Sequence, residues 1–266
     1  IDSKGTTWAH ALDVSSASSI QTNGGTVTLA SHSGGLIVKG DIDASAGNID
    51  LSGSQVQLKY SSIVNGGLVN FDTKRVYQDT SSTLFAEGIS GTSQADVVLQ
   101  GANNDVGTIY DFVTGAGNWS NGGFTLVDNN GVNVAGALST TGGDISLTEK
   151  SGALNFLSTS SVSTNGGALS VTSPALIDVD FGANINLADG NGHFDAPQVN
   201  LGADIKTTGD LDGTATLVNV ENDSAQIQDG VDIAASGIVN VGAGIFSENV
   251  VINKALSVIG TGTDIA

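Results

Sequence analysis

The sequence predicts an all-β protein that folds as a parallel β-helix, a β-solenoid with roughly 21 residues in each coil. Three observations lead to this class. A glycine-rich motif returns along the chain at a nearly constant interval, and the residues after each copy alternate between small polar and aliphatic side chains. In addition, helix-type spacing of apolar residues is almost absent before residue 220, and β-branched residues dominate the apolar set.

The repeated motif joins an Asn-Gly or Gly-Gly turn to the strand that follows it. Residues 18–29 return as residues 160–171, and a shorter copy occupies residues 61–71. Because glycine permits the positive φ of tight turns, these glycines are expected at the corners of the coils. Hairpins do not require a constant period, whereas stacked coils do. The first glycine of the motif recurs every 19 to 24 residues in two series, which are Gly24, Gly47 and Gly66, then Gly122, Gly142 and Gly166.

The strands are predicted from the alternation that follows each turn. An aliphatic side chain at every second position indicates a strand with one face buried. Stacking such strands at about 4.8 Å per coil builds a rod on the order of 60 Å long with a continuous aliphatic core. The clearest pairs are Val27 and Leu29, Ile49 and Leu51, Ile145 and Leu147, Ile185 and Leu187, and Val199 and Leu201.

Two segments depart from the pattern. Residues 74–117 are expected to hold an irregular insertion that gathers Arg75, Tyr77 and Tyr110, either as irregular core with longer loops or as a surface platform for a ligand. Residues 224–236 are expected to form a short capping helix, with its N-cap at Asp223-Ser224 and a glycine just past its end.

That helix also suggests how the chain is divided. A short amphipathic helix before new strands can cover the open end of a solenoid core. We therefore expect a boundary near residue 221, with one β-solenoid in residues 1–220 and the start of a second β-helix module in residues 221–266.

The charge balance excludes several classes of partner. The chain has 27 acidic residues against 8 basic ones, a net charge of −19. Nucleic acids are held by Lys and Arg against phosphates, so we expect no nucleic-acid partner. Anionic membrane surfaces are disfavoured for the same reason, whereas divalent cations are attracted.

The residue types that are missing set further limits. Cysteine is absent, which excludes disulfides, thiolate metal sites and a cysteine nucleophile. The first 30 residues lack a secretion signal, and no stretch is apolar enough to span a membrane. The acidic composition, rich in Ser, Thr, Asn and Gly, favours an extracellular bacterial protein. Because the chain begins at Ile1, we expect it to be a processed product or a piece of a longer protein.

Pairs of carboxylates are the first candidates for chemistry, since carbohydrate cleavage on a β-helix needs paired acids. An i, i+2 spacing places both acids on one side of a strand, but a solvated outer face has the same spacing. We expect the solvated face and predict no catalytic residue. The pairs are Asp41 and Asp43, Asp178 and Asp180, and Asp210 and Asp212.

A calcium loop is the best metal candidate. Asp189, Asn191 and Asp195 present oxygen atoms at alternate positions between glycines, which resembles a Ca²⁺ loop. The full pattern would place a glutamate at position 198, where this chain has a glutamine. A polar turn between coils explains the same residues. We therefore expect no required cofactor and keep Ca²⁺ as a candidate ligand.

Residues 122–147 resemble the repeats of filamentous-haemagglutinin-like large exoproteins, and the likeness extends loosely over residues 18–215. Residues 227–260 are similar to the opening coils of pectin-lyase-like β-helix domains, a likeness that covers residues 223–262. Both resemblances imply a right-handed parallel β-helix. The first implies a secreted bacterial protein used in adhesion, biofilm or contact with other cells. No functional residue transfers from either family.

Two functions remain as hypotheses. The first is a non-enzymatic structural or adhesive segment of a large secreted bacterial surface protein, acting as a stiff shaft or filament subunit. Its partners would be other cell-surface or matrix molecules, or copies of itself joined end to end. The alternative is a carbohydrate-active β-helix, such as a polysaccharide lyase, a hydrolase or a tailspike-like fragment.

Overall fold

The computed structural model describes residues 2–3, 11–117 and 121–261. These residues form a parallel β-solenoid of about 12 turns with about 21 residues per turn, together with one short helix. The predicted fold class is therefore confirmed.

The strands are short because each one forms only one side of a coil. In chain order they begin with β1 (Asp2–Ser3), β2 (Leu12–Val14), β3 (Ser19–Gln21), β4 (Val27–Ser31), β5 (Leu36–Val38), β6 (Asp41–Asp43), β7 (Ile49–Gly53), β8 (Val56–Leu58), β9 (Ile63–Thr73) and β10 (Val76–Gln78). They continue with β11 (Thr83–Ser93), β12 (Val97–Leu99), β13 (Asp105–Val106), β14 (Thr108–Val113), β15 (Phe124–Asp128), β16 (Val132–Val134), β17 (Ala137–Ser139), β18 (Ile145–Glu149), β19 (Leu154–Phe156) and β20 (Ser161–Ser163). The last are β21 (Leu169–Thr172), β22 (Leu176–Val179), β23 (Asn184–Ala188), β24 (Gly192–Asp195), β25 (Gln198–Leu201), β26 (Ile205–Thr207), β27 (Leu211–Gly213), β28 (Ala215–Val220), β29 (Ala234–Val241) and β30 (Leu256–Gly260), with helix α1 (Ile227–Ile233) between β28 and β29.

The strands stack into two parallel sheets. One sheet has ten strands in the order β2-β5-β8-β10-β12-β15-β18-β21-β24-β27, so each strand pairs with its equivalent one coil away. We call it the ten-stranded sheet. The other sheet has twenty strands and forms the remaining sides of each coil. Its two sides are joined by the 11-residue strands β9 and β11, which run through the corner without a break.

The core is a set of stacked columns of inward side chains. Parallel pairing places equivalent residues of successive coils directly above one another, so aliphatic residues contact aliphatic residues along the rod. Aromatic rings also lie within the core. Phe112 lies 6.2 Å from Phe71 and 5.1 Å from Phe124, measured between ring centroids. One fully buried column of the ten-stranded sheet consists of Leu36, Val56, Val76, Val97 and Phe124.

Glycine occupies the corners for two different physical reasons. Gly142 and Gly166 have φ values of +108° and +102°, as the turn motif predicts. Gly47 is needed for space instead, because a Cβ atom there would lie 2.4 Å from the carbonyl oxygen of Gly25 in the preceding coil. Close stacking of coils therefore selects glycine even where φ does not.

The strands of segment 74–117 pair with strands of the stack, and the irregular insertion expected there stays a prediction. Strand β11 pairs with β9 in register along nearly its whole length, from Thr83 against Ile63 to Ser93 against Thr73. The one irregularity in its pairing with β14 is a register shift between Ile89 and Gly91. The aromatic residues of this segment are divided between the core, which holds Phe112, and the outer surface, which holds Tyr77 and Tyr110.

The helix occurs where it was expected, but its predicted N-cap is wrong. α1 begins at Ile227, and its N-cap residue Gln226 makes no side-chain capping bond. The first amides are held from the next coil, because the carboxylate of Glu248 accepts hydrogen bonds from the N–H groups of Ile227 (2.7 Å) and Gln228 (3.0 Å). The sequence around the helix does not reveal this cap, because Glu248 follows the helix start by about twenty residues.

Strands on both sides of residue 221 belong to one sheet. β28 pairs with β29 from Ala215 against Ala234 to Val220 against Val241, and β29 pairs with β30. The helix lies between these strands and covers the end of the ten-stranded sheet, contacting β27, β28 and β29. A separate second module in residues 221–266 stays a prediction.

Candidate functional site

Asp41 and Asp43 serve the stack rather than an open site. One carboxylate oxygen of Asp41 accepts a hydrogen bond from the Ile63 amide at 2.9 Å. Oδ1 of Asp43 accepts from the Ser45 amide and from Nδ2 of Asn65, each at 2.9 Å. Both acids therefore bind the neighbouring coil or turn, and their expected non-catalytic role stays a prediction.

Asp178 and Asp180 influence the charge state of a third acid, Glu221, that the sequence did not point to. Asp178 pairs in register with Asn155 on one side and Asn200 on the other, and Asp180 accepts a hydrogen bond from the Ser158 amide at 3.2 Å. Burial raises the pKa of Glu221, and the charges of Asp178 and Asp180 raise it further. The register places Asp180, Gly202 and Glu221 at equivalent positions of three successive coils, so Glu221 lies two coils from Asp180.

Asp210 and Asp212 are divided between two roles. Oδ1 of Asp212 lies 2.5 Å from Nδ1 of His193, which is one coil earlier on the outer side of β24. The amide of Asp210 donates a hydrogen bond to Oδ1 of Asn191 at 2.9 Å. The pair therefore joins β27 and its preceding turn to the coil below.

The candidate calcium residues occupy the turn before β24 and the end of that strand. Oδ1 of Asp195 accepts a hydrogen bond from the Thr214 hydroxyl, and Oδ1 of Asn191 is bonded to the Asp210 amide. Within the described ranges, no three His, Asp or Glu side chains are grouped so that they could hold a metal ion. Ca²⁺ binding at Asp189, Asn191 and Asp195 stays a prediction, and a melting temperature unchanged by a chelator would contradict it.

A groove of about 580 Å³ lies beside the capping helix. Asp204, Asp229 and Asp232 approach it together with Lys206. Burial, followed by the charge of Asp204, raises the pKa of Asp229 to about 7, although its Oδ2 accepts a 3.0 Å hydrogen bond from the Ile205 amide. That bond satisfies an edge amide of β26, so Asp229 attaches the helix to the end of the sheet.

A second surface differs from the rest of this acidic molecule. Outward side chains of the ten-stranded sheet and its corner gather three of the eight basic residues with two exposed tyrosines. Tyr60 is 65% exposed and Tyr77 is 38% exposed. We call this surface the basic–aromatic face, and it consists of Lys39, Lys59, Tyr60, Arg75 and Tyr77.

Its lysines and tyrosines are arranged as two similar pairs in successive coils. Nζ of Lys39 lies 6.0 Å from the ring centroid of Tyr60, and Nζ of Lys59 lies 6.0 Å from that of Tyr77. Lys39 also forms a 2.5 Å ion pair with Asp13, whose hydrogen bond raises the pKa of the lysine. Each ring thus has an ammonium group near it and a part of its surface open to solvent.

The backbone at Tyr60 is in a costly conformation. Tyr60 has φ +57° and Ser61 has φ +62°, both in the left-handed region. A bulky residue is rare there, and such strain costs about 1–3 kcal/mol. The Tyr60 amide donates a long hydrogen bond of 3.4 Å to Oδ2 of Asp79 in the next coil. This conformation turns the tyrosine outward at the corner.

Sequence reasoning found only part of this face. Arg75 and Tyr77 were identified within the expected platform, whereas Lys39, Lys59 and Tyr60 lie outside it. The repeat period could have indicated that these residues are neighbours, because Lys39 and Lys59 are 20 residues apart, which is the length of one coil. Placing basic and aromatic residues on the 21-residue repeat would have grouped them.

The fold defines a parallel β-solenoid, and comparison with protein-family models, curated proteins and solved structures finds no match to this chain. The resemblances to filamentous-haemagglutinin-like and pectin-lyase-like proteins therefore stay predictions. No helix in the described ranges combines the length and apolar character that a membrane crossing requires.

Proposed function

We propose that this chain is a non-enzymatic segment of a large secreted bacterial surface protein, in which the β-solenoid acts as a stiff shaft and presents an adhesive surface. The observation that supports the shaft role is the continuity of the stack. In the ten-stranded sheet, each strand from β2 to β27 pairs in parallel with the next coil.

The stack favours stiffness for a physical reason. Bending the rod separates coils on one side, which breaks several backbone hydrogen bonds and opens contacts of the aliphatic columns at the same time. The buried corner hydroxyls add bonds between coils. For example, the Thr140 hydroxyl donates to the Thr164 carbonyl at 3.0 Å, and the Thr164 hydroxyl donates to that of Leu187 at 3.2 Å.

Two measurements test this proposal. Single-molecule pulling from both termini should show little extension until coils unfold, because each strand of the ten-stranded sheet is paired with the next coil. Gradual lengthening at low force would contradict a shaft. Antibodies against the chain should label the outside of intact producing cells. Labelling that requires broken cells would contradict the surface location.

The carbohydrate-active alternative is supported by one relationship: the charges of Asp178 and Asp180 raise the pKa of Glu221, which lies two coils away on the same outer surface. A carboxyl with a raised pKa near carboxylates is the arrangement that glycosidases use for their acid and base. The protein incubated with acidic polysaccharides would release reducing or unsaturated ends, and Asp178→Asn would abolish the release. The absence of any product would remove this alternative.

A further inference from the structure

We propose that the basic–aromatic face binds a polysaccharide whose sugar rings bear carboxylates. Tyr60 and Tyr77 would stack against the sugar rings, and Lys59 would pair with a carboxylate. The proposal names a ligand for the adhesive role and rests on that part of the proposed function. The shaft role is independent of it and is tested by pulling.

The positions of the rings support a repeating ligand. Tyr77 pairs in register with Gln57, and Tyr60 lies three residues beyond Gln57 at the corner, so the two rings belong to adjacent coils. Tyrosine has a flat apolar ring and a polar hydroxyl, which suits the apolar faces and rim hydroxyls of sugars. Two adjacent coils thus each present one ring, and a polysaccharide could contact both.

Amide groups around the rings supply hydrogen-bonding partners. Nε2 of Gln100 lies 3.4 Å from the Tyr77 hydroxyl, and Gln57 occupies the outward position of β8 next to that tyrosine. Amides both donate and accept hydrogen bonds, as hydroxyl-rich ligands require. Rings, amides and cations occur together on one outer sheet face.

The charges favour carboxylated rather than densely sulfated sugars. Arg75 lies 3.9 Å from Asp96, and Lys39 is paired with Asp13, so both are already partly neutralised. In the described part of the chain Lys59 makes no ion pair. A face with one unpaired cation on a molecule of net charge −19 suits widely spaced single charges, since dense polyanions are repelled by the surrounding field.

The strain at Tyr60 supports a functional reason for the residue. A glycine or asparagine would adopt its left-handed conformation at lower cost, and neither would present a ring. Small residues, Ser45 and Ala188, hold the same conformation at other corners, so the conformation belongs to the corner and the exposed ring is what distinguishes this one.

Binding of three soluble polymers to the whole chain tests the proposal. By calorimetry at physiological salt, which screens the field of the −19 net charge beyond about 8 Å, alginate, which has one carboxylate per ring, should bind, whereas neutral dextran should not. Dextran sulfate should bind more weakly than alginate. No alginate binding at millimolar sugar concentration would overturn the proposal, as would equal binding of dextran or tighter binding of dextran sulfate.

Variants then locate the site. Tyr60→Ala combined with Tyr77→Ala should reduce alginate affinity at least tenfold, and Lys59→Gln should reduce both the affinity and its salt dependence. There are two matched controls. Tyr110→Ala removes another exposed tyrosine, which lies on the twenty-stranded sheet, and Lys206→Gln removes a lysine on β26. Equal losses in variants and controls would overturn the assignment.

Tyr60→Gly separates binding from folding. Glycine accepts the left-handed backbone, so this variant should melt at a higher temperature than the natural protein while losing alginate affinity. Retained affinity in this variant and in Tyr77→Ala would overturn the proposal even if the double alanine variant failed to fold.

Discussion

Gln78 and Asn104 form a reciprocal pair of side-chain amides inside the solenoid, where both residues are fully buried. Nε2 of Gln78 donates to Oδ1 of Asn104 at 2.7 Å, and Nδ2 of Asn104 donates back to Oε1 of Gln78 at 2.9 Å. Asn104 also accepts from the Leu84 amide at 2.9 Å. A polar pair thus occupies a column that is aliphatic in the coils around it, since Gln78 stacks on Leu58.

Replacing Gln78 by leucine should destabilise the protein, although leucine matches the column. The change removes both hydrogen bonds to Asn104, and it leaves the Gly101 amide, which donates to Oε1 of Gln78 at 3.0 Å, without that acceptor. Losing these buried hydrogen bonds costs about 2–3 kcal/mol. Urea unfolding followed by circular dichroism measures the loss. Gln57→Leu, on the outward side of the neighbouring strand, is the matched control and should change stability by less than about 0.5 kcal/mol. Equal effects of the two changes would mean that the amide pair contributes nothing.

Stability should rise as the pH falls from about 7 towards 4.5, because two buried carboxyls favour their protonated forms. Burial, and then the charge of Asp128, raise the pKa of Glu149 to about 7, and burial also raises that of Asp128. These side chains face each other on β15 and β18, and Oε1 of Glu149 is buried without a donor. A proton shared between them supplies that hydrogen bond, and it is lost as the pH rises through 7.

Glu149→Gln isolates this contribution. Its amide supplies permanently the hydrogen that Asp128 accepts, so the variant should be more stable than the natural protein at pH 8, on the order of 1 kcal/mol. At pH 5 the advantage should disappear. Thermal melts across this range measure the difference, with the exposed Glu87→Gln as control. A variant less stable at pH 8 would contradict the shared proton. Asp229→Asn should remove a separate part of the same pH dependence, since burial raises its pKa to about 7.

The sequence predicted the class of fold because the fold depends on local patterns. Alternation as in Val27-Thr28-Leu29 specifies an inward face whatever the neighbouring coil is, and both aliphatic side chains are buried. The pairing register between coils was harder to predict, because the length of the sequence repeat varies from coil to coil. Gln78 interrupts the apolar alternation and gives no sign of its partner Asn104, 26 residues away.

The candidate face illustrates the same limit. Arg75 and Tyr77 are neighbours in sequence and were identified together, whereas Tyr60 joins them only through stacking. Its left-handed φ has no sequence signal, because tyrosine is a residue that normally avoids that conformation. The membership of the basic–aromatic face therefore depends on contacts between coils, which local sequence patterns do not specify.

Glu248→Ala should loosen the capping helix. The carboxylate accepts hydrogen bonds from the amides of Ile227 and Gln228, and its charge lies at the positive end of the helix. Loss of a cap of this kind costs about 1 kcal/mol. Hydrogen exchange should become faster at residues 227–233 and stay unchanged in β15 and β18. Ser224→Ala, at the expected cap, should have no such effect, and the opposite ranking would restore the original prediction.

Asp178→Asn should stabilise the protein by completing a ladder of asparagines on the outer surface. Asn155 donates to Asn133 at 2.9 Å, and Asn219 donates to Asn200 at 2.8 Å, while Asp178 stands in register between the two parts of the ladder. An asparagine at this position can donate to Asn155 and removes a charge close to Glu221. We expect a gain of about 0.5–1 kcal/mol in urea unfolding.

The same variant should lower the pKa of Glu221 towards its usual range, which carboxyl NMR titration measures, because the charge of Asp178 is one of the causes that raise it. Asn155→Asp is the reciprocal control. It introduces a second acid next to Asp178, so it should reduce stability by a similar amount and more strongly at neutral than at acidic pH. If Asp178→Asn lowered stability instead, the acid would have to be a stabilising member of the ladder, and the repulsion argued from Glu221 would be wrong.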